Sequence, residues 1–224
     1  MSEVKDLVIN IENAKIFQDR EVLSDVNLKV EKGEFIYLIG KTGSGKSSLL
    51  KTLYADLPLM GGKMEVCGYD IGNLKKKNVP MLRRKLGIIF QDFQLLQDRN
   101  VYENVAFVLR STGVKDKSQI ALKVGKALDD VGLSDKANAN IFSLSEGEMQ
   151  RVNIARAIVN SPELIIADEP TGNLDPITAE EITELLQKIS EDHKTTVIMA
   201  THNFLVIEKF RKRVICTEDG RLID

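Results

Sequence analysis

The chain is poor in the residues that build metal sites and disulfide frameworks. Its 224 residues include two cysteines, two histidines and no tryptophan. Cys67 and Cys216 lie far apart in the sequence, without a C-x-x-C spacing or a neighbouring histidine. They therefore indicate neither a structural metal site nor a disulfide framework, and both are interpreted as small core residues.

Excess charge and long apolar runs are also missing. The 31 Lys and Arg residues against 33 Asp and Glu residues give a net charge of -2, so no nucleic-acid partner is expected. No apolar run approaches the roughly 18 residues that span a bilayer, and residues 1–6 lack the pattern of a signal peptide. We expect a cytosolic chain, for which any membrane role requires a separate membrane-embedded partner.

Short apolar strands alternate along the chain with amphipathic helices, which predicts an α/β fold with a parallel-sheet core. Residues 100–143 contain no predicted strand and are interpreted as a helical insertion within that core. A D-G turn at 219–220 predicts a terminal hairpin. The predicted strands are residues 7–14, 22–30, 35–39, 63–67, 86–90, 164–167, 196–200, 213–217 and 221–223.

The most informative segment is G-K-T-G-S-G-K-S at residues 40–47, between a predicted buried strand and a predicted helix. Its glycines let backbone amides turn inward around phosphate oxygens, and the positive end of the following helix adds attraction. Lys46 is placed to reach the β- and γ-phosphates, and the Ser47 hydroxyl to bind Mg²⁺. The alternative is a glycine-rich turn that matches by accident, but the flanking pattern favours nucleotide binding. The predicted nucleotide-binding residues here are Gly40, Lys41, Thr42, Gly43, Ser44, Gly45, Lys46, Ser47 and Ser48.

Two acidic residues end the predicted strand 164–167. Strand ends in open α/β sheets are where ligands bind, so Asp168 is predicted to hold Mg²⁺ directly or through water. Glu169 is predicted to act as the general base for the attacking water, or to orient it. The alternative is a solvated turn or a helix N-cap, because Pro170 and Thr171 follow. The phosphate loop upstream favours the magnesium and water roles.

A phosphate loop alone leaves GTPases, kinases and helicases open, and the segment L-S-E-G-E-M-Q-R-V at residues 144–152 narrows the choice. It resembles the signature segment of the ATP-binding cassette (ABC) ATPases. That resemblance implies that Ser145, Gly147 and Glu148 serve ATP held by the opposite subunit. From the residues alone, S-x-x-E is equally a capping box on an amphipathic helix. Glu146 departs from the usual glycine, which puts the turnover rate in doubt.

Other positions resemble the remaining motifs of the family. Gln91 matches the Q-loop glutamine, which implies a contact with Mg²⁺ and the γ-phosphate, and Asp175 matches the D-loop. His202 matches the switch histidine and is implied to bridge Glu169 and the γ-phosphate. Phe17 stands where the family has an aromatic residue stacked on adenine, and the alternative is a buried strand residue.

A narrower resemblance covers residues 91–106, which are similar to the FtsE branch of the family, the cell-division ATPases. It implies an integral membrane partner of the FtsX type and ATP-driven signalling to cell-wall hydrolases outside the cell. Phe93, Leu95 and Leu96 are predicted to be exposed and to form a groove for a short helix of that partner, and the alternative is that they pack the helical subdomain. ATPases of lipoprotein release and macrolide export share this pattern of residues, so a role in one of those exporters is the alternative to a role in cell division. An ATPase of the DNA-repair type is less favoured, since the chain has neither sustained heptads nor Cys/His clusters. A translation-associated ATPase is also less favoured, since such proteins usually carry two cassettes and this sequence has one phosphate loop.

The sequence thus predicts one ABC ATPase domain over residues 1–224, with ATP and Mg²⁺ as ligands. An antiparallel β portion is expected near the N-terminus, and a helical subdomain at about residues 93–160. Two copies are expected to form a head-to-tail dimer with two composite sites, closed by ATP and released by hydrolysis. The predicted location is the cytoplasmic face of the plasma membrane, through the membrane partner.

Overall fold

The computed structural model describes residues 6–224, which form two β-sheets and seven α-helices within that range. The expectation for residues 1–6 falls almost entirely outside the described residues. The strands are β1 (Leu7–Phe17), β2 (Glu21–Glu31), β3 (Phe35–Gly40), β4 (Leu59–Val66), β5 (Tyr69–Asp70), β6 (Leu86–Ile89), β7 (Leu164–Asp168), β8 (Thr196–Ala200), β9 (Arg213–Glu218) and β10 (Arg221–Ile223). The helices are α1 (Lys46–Leu53), α2 (Val79–Arg83), α3 (Val101–Ser111), α4 (Lys117–Asp130), α5 (Glu146–Ile158), α6 (Pro176–His193) and α7 (Phe204–Lys209).

The first sheet is the antiparallel portion that the sequence predicts near the N-terminus. Its strand order is β2-β1-β4-β5, and β1 pairs antiparallel with both β2 and β4. Alternate residues of β1, among them Ile9 and Ile11, are buried, as expected for a sheet with one face on the core.

The second sheet has the order β10-β9-β3-β8-β7-β6, and all its pairings are parallel except the terminal β9-β10 hairpin. The apolar runs of β3, β7 and β8 are almost wholly buried, as in a parallel sheet covered on both faces. The predicted α/β fold is confirmed. Because the strands are parallel, the carboxyl ends of β3, β7 and β8 meet at one edge, where Ala200 pairs with both Leu38 and Asp168.

The helical insertion consists of α3, α4 and α5, which follow one another between β6 and β7. Their buried residues, such as Val105, Val124 and Val152, join one core with the helix-facing side of the parallel sheet. Side chains cap all three helices: Asn100 caps α3, Asp116 caps α4, and Ser145 caps α5. Within residues 6–224, no helix combines the length and the apolar character needed to cross a membrane.

Some predicted element boundaries were wrong. Gly61 and Gly62 were expected to precede a strand, but both lie within β4. Gly62 has a φ of 77°, and a Cβ there would lie 2.3 Å from the Asn13 carbonyl oxygen of β1. The glycine therefore allows two backbones to approach at an irregularity in the strand pairing. Of the two cysteines expected in the core, Cys67 is buried and Cys216 is only half-buried.

Candidate functional site

The phosphate loop connects β3 to α1 at the common edge of the parallel strands. Gly45 is the N-cap of α1, with a φ of 102°, and it offers no side-chain acceptor to the first amides of the helix. These amides and the positive end of the helix dipole are thereby left for an anion. The geometry is that of a phosphate cradle, as the sequence predicts.

Gly40 at the start of the loop is held in a confined space. Its φ is 145°, and a Cβ there would lie 2.3 Å from the hydroxyl oxygen and 2.5 Å from the carbonyl oxygen of Thr217. The Thr217 hydroxyl in turn lies 2.5 Å from the Ser44 hydroxyl. Thr217 of strand β9 thus holds the phosphate loop in place through its contacts with Gly40 and Ser44.

We expect Gly40→Ala to lower the melting temperature by several degrees more than Gly43→Ala. Both glycines have positive φ values, but a Cβ at Gly43 would meet nothing within 4 Å. The difference between the variants therefore reports the clash with Thr217 together with the greater backbone strain of an alanine at a φ of 145°, and each contributes about 1–3 kcal/mol. Differential scanning calorimetry of the two purified variants measures it. Equal melting temperatures would contradict this account of the loop.

Lys46 lies beneath the loop with only 8% of its surface exposed. Its Nζ donates to the carbonyl oxygens of Gly40, at 2.7 Å, and of Lys41, at 3.3 Å. The same Nζ lies 3.9 Å from Oε1 of Glu169. The ammonium group is thus preorganised at the centre of the loop, where a phosphate oxygen would replace or join the carbonyl oxygens as its acceptor.

Ser47 and Asp168 form an oxygen pair beside the ammonium group. The Ser47 hydroxyl donates to Oδ1 of Asp168 at 3.2 Å. Burial raises the pKa of Asp168, against the hydrogen bond from Ser47, so its carboxylate would be stabilised by a cation. Among residues 6–224, no cluster of three or more His, Cys, Asp or Glu side chains could hold a metal ion by itself. The pair fits Mg²⁺, which takes one or two protein oxygens and completes its shell with phosphate and water.

Glu169 and His202 meet across the ends of β7 and β8. Oε2 of Glu169 accepts a hydrogen bond from Nδ1 of His202, at 2.8 Å, and another from its backbone amide, at 3.3 Å. The Glu169 amide donates to the Ala200 carbonyl, which anchors a residue whose φ is 49°. The carboxylate is therefore fixed from both strands and faces the phosphate loop.

A cavity of about 770 Å³ joins Lys46, Ser47, Glu169 and His202, whereas Asp168 is not among its lining residues. Its wall near the β1–β2 turn comes from Gln18, Asp19, Arg20 and Val22. The predicted adenine-stacking residue, Phe17, ends β1 half-buried beside Gln18 and is not among the described residues that line the cavity. Of the predicted residues, it is lined by Thr42, Gly43, Gly45, Lys46, Ser47, Ser48, Gln91, Glu169 and His202.

The Ser48 side chain is engaged elsewhere. Its hydroxyl donates to Oε1 of Gln18 at 2.8 Å, and the residue is 5% exposed. It therefore ties the β1–β2 turn to α1. Sequence reasoning missed Gln18 and Arg20 as lining residues, although they directly follow Phe17.

The predicted signature residues lie in a different place. Ser145, Gly147, Glu148 and Asp175 line a separate cavity of about 350 Å³, between the N-termini of α5 and α6. Ser145 and Glu148 form the capping box that the residues alone allowed, and Glu148 also pairs with Lys136. Asp175 caps α6 through the amides of residues 177 and 178.

Gly147 and Glu146 both line this second cavity. A Cβ on Gly147 would lie 2.7 Å from the Thr178 side chain, so only glycine lets the two helix ends approach this closely. Glu146, which departs from the family pattern, is exposed. In one copy of the chain, the signature residues and the phosphate loop do not share a cavity.

Helix α5 carries three donors that sequence reasoning missed. They are spaced i, i+3 and i+6 on one face: Gln150 donates to the Pro170 carbonyl at 2.6 Å, Asn153 to the Phe90 carbonyl at 2.9 Å, and Arg156 to the Gln94 carbonyl at 2.6 Å. Gln150 and Asn153 are fully buried. The acceptors directly follow Glu169 or flank Gln91, so α5 fixes the backbone around both predicted site residues.

The segment after Gln91 was expected to expose apolar side chains for a membrane partner. Phe93, Leu95 and Leu96 are instead half-buried, and Leu95 packs against the helical core. Leu96 exchanges two backbone hydrogen bonds with the buried Asn104 side chain. The alternation of these residues with polar ones thus reflects an ordered loop, of which only part is accessible.

Three comparisons place this geometry among known proteins. A family model described as ABC transporter matches residues 23–172. The chain is 42% identical over 221 residues to the Cell division ATP-binding protein FtsE of Streptococcus pneumoniae, and the match covers 99% of this chain and 93% of that protein. It is 47% identical over 204 residues to the protein of the same name from Mycobacterium tuberculosis, which covers 91% and 88% respectively.

Among solved structures, the chain is similar to the ATP-binding cassette MJ0796, determined as a dimer in a post-hydrolysis state bound to ADP and Pi. The TM-score is 0.84 at 32% identity, over 96% of this chain and 97% of that one. A likeness of this extent covers both sheets and the helical insertion.

Proposed function

Since the chain belongs to the ABC transporter family and is an ATPase of that family, we propose that it is the ATP-hydrolysing subunit of a membrane complex that acts in cell division. One observation carries the proposal: relatives that match nearly the whole chain at 42% and 47% identity are named cell division ATP-binding proteins. The same chain holds a preorganised phosphate loop and a carboxylate fixed beside it.

The proposed reaction is ATP hydrolysis in the cavity of about 770 Å³ at the phosphate loop. Loop amides and the Lys46 ammonium group bind the phosphates, and Ser47, Asp168 and Gln91 offer oxygens to Mg²⁺. The ion, when bound, neutralises phosphate charge. Glu169 orients and deprotonates the attacking water, and His202 holds that carboxylate in place. Thr42, Gly43 and Gly45 contribute backbone to the cradle.

The proposed active unit is a head-to-tail homodimer. Support comes from the separation of the two cavities, because the cavity that Ser145 and Gly147 line shares no lining residue with the cavity at the phosphate loop. A two-fold arrangement would set the N-terminus of α5 against the nucleotide of the other copy, and it would complete two sites at once. The dimeric MJ0796 structure shows that a similar cassette assembles as a dimer.

The proposed partner is an integral membrane protein of the FtsX type, which would hold the chain at the cytoplasmic face of the membrane. Closure and opening of the dimer would then be read by the membrane protein as a conformational signal. A lipoprotein-release or macrolide-type exporter remains the second candidate, because those ATPases share the motif frame. Depletion of the chain in its own host separates the two: division arrest supports the first role, and loss of export without a division defect supports the second.

Partner docking is expected to weaken in Leu96→Ser. Leu96 is half-buried in the loop after Gln91 and, unlike Leu95, does not belong to the helical core. The variant should therefore fold and bind ATP, while co-purification of the membrane partner with the tagged chain falls roughly tenfold. Quantitative mass spectrometry of the detergent-extracted complex measures the change.

Leu122→Ser is the matched control, because Leu122 lies on α4 with 75% of its surface exposed. It should recover the partner at the wild-type level. Recovery with Leu96→Ser at the level of this control would refute the docking site.

A further inference from the structure

One segment of the surface is strongly basic. Residues 75–85 read K-K-K-N-V-P-M-L-R-R-K, with six cationic side chains and no acidic one. The whole chain carries a net charge of -2, so the rest of it carries a formal charge of -8. This basic segment is thus a local reversal of the charge of the molecule. Sequence patterning alone favours a solvated face for such runs.

The structure divides the six cations into two groups. Arg83 pairs with Asp56 at 3.5 Å and donates to the carbonyls of residues 54 and 55, and Lys85 pairs with Glu163 at 3.0 Å. Lys75, Lys76 and Lys77 are exposed and have no carboxylate partner within residues 6–224. The Arg84 guanidinium is also exposed and contacts only the Met81 sulfur among the described residues, at 3.5 Å. Two cations therefore anchor the segment, and four are free for an external anion.

The segment is anchored at the end of α1 that lies opposite the phosphate loop. It forms a 3-10 turn, Lys76–Asn78, followed by α2, whose Leu82 is fully buried. Arg83 binds carbonyls just beyond the carboxyl end of α1, and the phosphate loop precedes the other end of that helix, about 12 Å away. The four free cations are therefore not explained by ATP.

We propose that the basic segment binds the anionic phospholipid headgroups of the membrane at which the chain acts. The proposal rests on the proposed function, since a chain held by an integral membrane partner works within reach of the leaflet. Polybasic surfaces are attracted to anionic leaflets, and each Lys or Arg strengthens binding about fivefold. Met81, 47% exposed among the cations, offers an apolar side chain to the interface.

A nucleic acid is the less suitable polyanion for this segment. Residues 75–85 contain no aromatic side chain on which a base could stack. The charge of -8 on the rest of the chain would also oppose wrapping by a duplex, whereas a leaflet touches only one face. The segment therefore fits a planar anionic surface better.

Sedimentation with vesicles tests the proposal with the full chain alone. The wild-type chain should bind vesicles of mixed phosphatidylglycerol and phosphatidylcholine and not vesicles of phosphatidylcholine, with an affinity that falls as salt rises. Replacing Lys75, Lys76 and Lys77 together with Gln should weaken binding roughly 100-fold while leaving ATP hydrolysis unchanged. The matched control replaces Lys115, Lys117 and Lys126, three exposed lysines of the helical insertion, with Gln.

The control should retain the wild-type affinity, because it removes the same charge elsewhere. Equal losses in the two triple variants would overturn the proposal, and so would wild-type binding that is absent or equal for both vesicle types. Tighter binding to duplex DNA than to the anionic vesicles, at the same salt, would assign the segment to nucleic acid instead. These readouts need neither the membrane partner nor a division phenotype, so their failure is distinguishable from failure of the proposed function.

Discussion

Replacing Glu169 with Gln is expected to leave ATP bound and unhydrolysed, so that a closed dimer accumulates. The carboxylate accepts two hydrogen bonds from His202 and lies 3.9 Å from the Lys46 ammonium group, but it supplies no donor to a phosphate. Glutamine therefore spares the phosphate contacts and removes the base. General-base catalysis contributes roughly 100-fold or more to rate, and ATP turnover should fall by at least that factor.

Size-exclusion chromatography with ATP and Mg²⁺ measures the second part of this expectation. Glu169→Gln should elute as a dimer and return to monomer when ATP is removed. Adding Ser145→Arg to the same chain should abolish the dimer, because an arginine would fill the N-terminus of α5, which would face the other subunit in the proposed head-to-tail dimer. Glu184→Gln, an exposed change on α6, serves as the control and should behave as wild type. Wild-type turnover in Glu169→Gln would remove Glu169 from the mechanism.

Lys46→Ala should instead lose ATP binding itself. Its ammonium group lies beneath the loop and would contribute two charge-assisted hydrogen bonds to the phosphates, each worth about 1.5–3 kcal/mol. Their loss raises the dissociation constant roughly 100-fold or more. Titration calorimetry with a non-hydrolysable ATP analogue measures the change without interference from turnover.

Lys41→Ala provides a lysine control in the same loop. The Lys41 side chain is exposed, and its backbone is unchanged by the substitution. Its affinity for the analogue should therefore stay within a few fold of wild type. Similar losses in both variants would mean that total loop charge, and not the buried ammonium group, holds the nucleotide.

The predicted site residues that the structure brings together share one property: each belongs to, or follows, a short local pattern. Gly40, Asp168 and Ala200 end buried apolar strands, and parallel strands bring their carboxyl ends together whatever the rest of the chain does. The position of Glu169 and His202 beside each other follows from the pairing of β7 with β8. For the residues at these strand ends, the order of the strands in the sheet is the only tertiary information that is needed to place them together.

Other residues could not be predicted, because their roles depend on which segments become neighbours. Gln18 reaches the cavity only because the β1–β2 turn packs over α1, through its hydrogen bond with Ser48. The burial of Leu95 depends on the core that the helical insertion forms with the parallel sheet, and neither contact leaves a periodic signal. The separation of Ser145 from the phosphate loop likewise becomes visible only when both cavities are in place.

The three donors of α5 also have a mechanical consequence. A helix of 13 residues is stiff over its length of about 20 Å, so Gln150, Asn153 and Arg156 make it a rigid link between two stretches of backbone. The helix follows Ser145, which would face the other subunit in the proposed dimer, and its three donors end on the carbonyls of Phe90 and Gln94, on either side of Gln91, and of Pro170, directly after Glu169. A displacement of the N-terminus of α5 would therefore move both stretches together. Motion of the backbone around Gln91 would then be coupled to motion of the backbone beside Glu169.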